Sequence, residues 1–84
     1  MTYTVLWTPL AQGQLAQLWL DAVDRDSVTR AASLLDELLR DDPHAQGESR
    51  FATLRIVFAP PLACYVDIRQ DDHRVYVLAV WRTS

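Results

Sequence analysis

The chain has 84 residues with a formal net charge of −3, is half hydrophobic and about a quarter charged, and so holds one domain with a single core (residues 1–84). Apolar residues never run to the length of about 18 that a membrane span needs, and the lone Cys64 excludes an internal disulfide, so a soluble protein without a signal peptide in a reducing cytoplasm is expected, with no membrane contact. All eight basic residues are arginine; the negative balance argues against broad, non-specific binding to nucleic acid, which depends on neutralising many phosphates at once.

In chain order, Tyr3, Val5 and Trp7 alternate with Thr2, Thr4 and Thr8, which predicts a strand. Thr8 followed by Pro9 reads as an N-cap and a first helical residue whose missing N–H costs nothing. Ala11, Leu15, Leu18, Trp19 and Ala22 then form one apolar stripe. Asp24, Asp26 and Ser27 offer caps for a second helix, in which Val28, Ala31, Ala32, Leu35, Leu38 and Leu39 keep the helical spacing and beyond which stands Pro43. Two such helices, joined by a few residues, form an antiparallel pair that must lay its apolar face on another layer.

From Arg50 the period changes to two. Leu54, Ile56 and Phe58 are read as the core side of a strand, against Thr53, Arg55 and Val57. After Pro60 and Pro61, Leu62, Cys64, Val66 and Ile68 oppose Ala63, Tyr65, Asp67 and Arg69. Asp71 and Asp72 make a hairpin turn, and Arg74 to Arg82 is apolar at nearly every position, as suits a central strand covered on both sides. The fold class is therefore α+β, in the order β-α-α-β-β-β. Two antiparallel helices pack on one face of a mainly antiparallel sheet, and the other face is expected to gather Arg55, Tyr65, Asp67, Arg69 and Tyr76.

The order of these elements resembles the RelE/ParE superfamily of toxins. So do the segments Tyr3 to Pro9, Gly47-Glu48-Ser49-Arg50, Pro61 to Asp67 and Val77 to Arg82. The resemblance covers nearly the whole chain and implies the toxin of a type II toxin–antitoxin module, also called a plasmid stabilisation protein, with a cognate antitoxin as partner. Its target would be ribosome-bound mRNA, cut by a metal-free endoribonuclease (an mRNA interferase), or DNA gyrase, inhibited by contact. A domain that keeps only the antitoxin contact is the third reading. No cofactor or metal is implied.

Residue by residue, Arg55 and Arg82 match two basic positions of the ribonuclease branch, where cationic groups stabilise phosphorane charge, and they are expected to converge on one face as the catalytic pair. Arg50, Tyr65 and Arg69 are the candidate binding residues. Arg55 equally suits a solvated strand position paired with Asp67 or Glu48, Arg82 a strand end, and Tyr65 half-buried packing. Where such toxins commonly place an arginine after the proline-leucine of the third strand, this chain has Ala63; it has no lysine, and no tyrosine follows Arg82. His44 and His73 are read as exposed loop residues, and Cys64 as a small buried hydrophobe.

Overall fold

A computed structural model describes residues 2–83. The chain order is β1 (Thr4–Trp7), α1 (Pro9–Asp21), α2 (Arg25–Asp41), a 3-10 turn (Pro43–Ala45), β2 (Glu48–Phe51), β3 (Leu54–Ala59), β4 (Leu62–Arg69) and β5 (Arg74–Arg82). The five strands form one sheet in the order β1-β5-β4-β3-β2, with β1 parallel to β5 and every other pair antiparallel. Both helices lie on one face, α1 over β5 and α2 over β3 and β4. No described helix is long and apolar enough to cross a membrane.

Thr8 begins α1 as its residue type dictates: its Oγ1 accepts from the Ala11 N–H at 3.3 Å and donates to the Val77 carbonyl at 2.8 Å. One cap thus starts the helix and ties it to β5. Between the layers, α2 contributes Val28, Ala31, Leu35 and Leu39 to the core. The sheet contributes Val57 and Ala59 from β3, Leu62, Cys64, Val66 and Ile68 from β4, and Val75, Val77 and Val80 from β5. Burial pushes the Cys64 thiol up to about 12, so it sits in the core as a neutral hydrophobe.

Four local expectations change. The stretch from Arg50 holds two strands rather than one, because the chain reverses at Ala52 and Thr53 and β2 pairs back on β3. That reversal uses a positive φ of 52° at Ala52, a residue type that gives no turn signal. The approach to β2 needs Gly47, whose φ is +59° and where a Cβ would stand 1.8 Å from the Ile56 carbonyl oxygen.

The faces of β3 are also inverted. Register places Val57 opposite Cys64 and Ala59 opposite Leu62, so these small residues meet the helices, while Leu54, Ile56 and Phe58 lie on the open face with Asp67, Tyr65 and Ala63. Arg55, opposite Val66, therefore lies on the helix side and not with Tyr65, Asp67 and Arg69. Strand β5 is interior to the sheet as expected, but only one of its faces is covered: Trp81 and Tyr76 project to the open side. The fourth change is at Asp24, which occupies the N-cap position of α2 without making a side-chain cap.

Candidate functional site

The open face of the sheet is apolar at one end and basic at the other. Trp81, Ala63 and Phe58 stand side by side on β5, β4 and β3. Ala63 is fully buried between two large rings that are themselves 37% and 49% exposed. Tyr65, half-buried, follows between Ile56 and Ala79. Further along, Asp67 accepts from Arg69 Nε at 2.8 Å and from the Thr53 hydroxyl. Arg74 lies beside Arg69 and is held charged by its hydrogen bond with Tyr76. At the far edge Arg50 pairs with Glu48 at 3.2 Å. Three of the five residues singled out from the sequence, Arg50, Tyr65 and Arg69, thus belong to β2 and β4, and both of these arginines carry a carboxylate partner.

Arg55 and Arg82 do not converge. By register they lie four residues along and two strands across from one another, about 16 Å apart on the helix side of the sheet. Arg55 donates from Nε to the Gln46 carbonyl at 2.8 Å and from Nη2 to the Gly47 carbonyl at 3.3 Å, clasping the approach to β2. Neither Asp67 nor Glu48 is its partner. Arg82 Nη2 donates to Asp24 Oδ2 at 2.6 Å, joining the end of β5 to the turn between the helices. The guanidinium holds the Asp24 carboxyl below the usual carboxylate range and is itself raised by it. Oδ2 is thus committed to Arg82, while Oδ1 is buried without a hydrogen-bond partner among the described residues, and α2 starts without a side-chain cap.

On the opposite side of the molecule α1 and α2 do not close on each other. A groove of about 910 Å³ runs between them, with Trp7, Leu15, Trp19, Val28 and Ala32 in its walls and Asp36, Glu37 and Arg40 at one end. Trp19, read from the sequence as core, is 40% exposed there. Its indole donates to Thr29 Oγ1 at 3.2 Å, and Arg25 stacks on it at 4.6 Å while donating to the Trp19 and Leu20 carbonyls at the end of α1. The hairpin is pinned at its turn and open along its length.

No protein-family model matches the sequence, and no curated protein matches it. Solved structures do match its shape. A chain of the toxin–antitoxin complex RelBE2 from Mycobacterium tuberculosis superposes with a TM-score of 0.79 over 98% of this chain and 99% of its own, at 16% identity. A chain of the chromosomal ParDE system from P. aeruginosa gives 0.71 over 98% and 97%, at 13% identity. The intact E. coli RelBE complex gives 0.66 over 98% of both, again at 13%. The chain has the RelE/ParE fold.

Within this RelE/ParE fold the polar chemistry is divided. The two arginines expected to act together brace loops on the helix side, whereas the open face offers aromatic rings, Arg69 and Arg74. Sequence reasoning missed the groove residues Trp7, Trp19, Asp36 and Glu37. For Trp19 the signal was the width of the α1 stripe: it lies about 80° round the helix from Ala11, at the margin of the face that Ala11, Leu15 and Leu18 turn to the core.

Proposed function

We propose that the protein is the toxin of a type II toxin–antitoxin module, neutralised by a cognate antitoxin, and that it acts on its target by contact rather than by cutting RNA. The RelE/ParE fold over the whole chain supports the first part. The observation that carries the second is the placement of Arg55 and Arg82: two arginines whose backbones lie about 16 Å apart, and whose guanidinium groups each bond partners inside the protein, do not grip one phosphate. The open face adds to this, since Ala63 sits sealed between Phe58 and Trp81 where an arginine would be needed. A surface of aromatic rings with arginines at one end suits protein recognition, in which such residues dominate the binding energy. DNA gyrase and the translation apparatus are the two targets to test.

Induced expression should arrest growth, and a small protein encoded beside the gene should relieve the arrest. Total mRNA mapped after induction should show no new cleavage, while a supercoiling assay tests gyrase directly. Ribosome-dependent cleavage by the purified protein, lost on Arg82→Ala with the fold intact, would establish the ribonuclease reading instead.

A further inference from the structure

The geometry points to the free edge of β2 as a contact between two copies of this chain, paired antiparallel about Ser49 so that Glu48 of each meets Arg50 of the other. This rests on the contact reading of the protein only for what a doubled surface would serve.

Strand β2 closes one side of the sheet with β3 as its single strand neighbour, and all four of its residues are exposed. Its outer edge therefore offers backbone N–H and C=O groups that no other strand takes up. The register passes from Ser49 beside Arg55 to Phe51 beside Leu54, which leaves Arg50 with no residue opposite it on β3. Bulges and charged side chains are the usual defence of such an edge, because a foreign strand laid along it must desolvate those charges or face their like. A copy of the same strand is the exception.

The segment Glu48-Ser49-Arg50 is its own electrostatic complement. In an antiparallel pair centred on Ser49, Glu48 stands opposite the partner's Arg50 and Arg50 opposite the partner's Glu48, as a two-fold axis requires. Side chains directly opposite one another across such a pair are about 5 Å apart at Cβ, within reach of an ion pair. A centre on Glu48 or on Arg50 would set like charges face to face, so charge fixes the register as well as the partner. Within one chain the two groups already bond at 3.2 Å, with Arg50 46% and Glu48 65% exposed, an arrangement worth little in water. Across the axis the four charges close into a ring. The same register stands the partner's Gly47, which has no side chain, opposite Phe51, a ring that is 75% exposed in the single chain.

Pairing of this kind has its axis normal to the sheet, so two sheets of five strands become one continuous sheet. Both helix layers then lie on one side, and both open faces, with Phe58 and Trp81, on the other. The surface proposed to meet the target is presented twice, side by side.

One short strand pair is a small interface, so self-association at roughly 10 to 100 µM is expected, which sedimentation equilibrium of the whole protein resolves. Glu48→Arg and Arg50→Glu, both at exposed positions, should each weaken it at least about tenfold, because either one puts two like-charged pairs across the axis. Mixed in equal amounts the two variants should associate with each other, since every charge then meets its opposite. The double variant should associate about as well as the wild type. Hydrogen exchange should slow at the backbone amides of β2 as concentration rises, and stay unchanged at β1. A wild type that stays monomeric well above that range, a dimer that survives either single reversal, a mixture that fails to associate, or protection at β1 in place of β2 would each overturn the proposal. Growth arrest on induction, read separately, reports on the toxin reading alone.

Discussion

Removing the Arg55 side chain separates its two conceivable roles. Arg55→Ala deletes the donors to the Gln46 and Gly47 carbonyls and leaves the approach to β2 held by Gly47 and the strand ladder alone. Hydrogen bonds from a charged donor contribute roughly 1.5 to 3 kcal/mol when fully desolvated, and Arg55 is only half-buried, so about 1 to 2 kcal/mol is expected for the pair. An unfolding entropy of about 2.1 cal/mol/K per residue then converts this loss into a fall in Tm of about 6 to 11 °C for this chain. Circular dichroism melts of the wild type, Arg55→Ala and Arg55→Lys provide the measurement, with lysine recovering part of the loss. A variant that melts like the wild type yet no longer arrests growth would refute the argument, because Arg55 would then serve a ligand and not the loop.

Other expectations follow from the same contacts. Leu35 is 0% exposed between α2 and the sheet, so Leu35→Ala should destabilise by about 2 to 5 kcal/mol in a denaturant titration, a large part of the stability of so small a domain. Ala63→Arg forces a long side chain between Phe58 and Trp81 and should destabilise by about 1 to 3 kcal/mol without creating RNA cleavage in a primer-extension assay. Because Arg82 lowers the Asp24 carboxyl below its ordinary value of 3.8, this pair stabilises the fold above that pH and its contribution is lost as the pH falls through the lowered value. Asp24→Asn should therefore be less stable than the wild type at neutral pH and should converge with it in acid melts.

Much of the fold was legible because periodicity was clean where burial was one-sided. β4 alternates in burial from Cys64 to Arg69, with only Ala63 before it buried out of turn, and α2 carries a single apolar stripe with polar residues opposite. β3 misled because Leu54 to Ala59 is apolar on both faces except at Arg55, and the larger side chains face outward: bulk suggested burial, but the space under the helices takes only Val57 and Ala59. Arg55 was then carried to the open face by that inversion, and the Asp24–Arg82 pair, 58 residues apart in sequence, leaves no local trace. Asp24 at a helix start looked sufficiently explained as a cap. His73, expected in the open, is half-buried against Tyr3 with ring centres 5.1 Å apart, a contact made by the first and last strands coming together.

That meeting of first and last strands sets the order in which the molecule can be completed. β1 has one neighbour, β5, and bonds to it in parallel from Thr4 beside Arg74 to Trp7 beside Val77, while Thr8 and Gln14 reach across to Val77 and Val80. Closing a loop of some seventy residues is entropically slow, and none of these bonds exists until the C-terminal strand has left the ribosome. During synthesis β2, β3 and β4 can pair by short turns, but β1 and the start of α1 must wait. The helix hairpin therefore reaches its finished form only once β5 has emerged and paired, and a chain stopped before Arg74 would keep β3 and β4 beneath α2 but leave α1 and β1 without the strand that holds them.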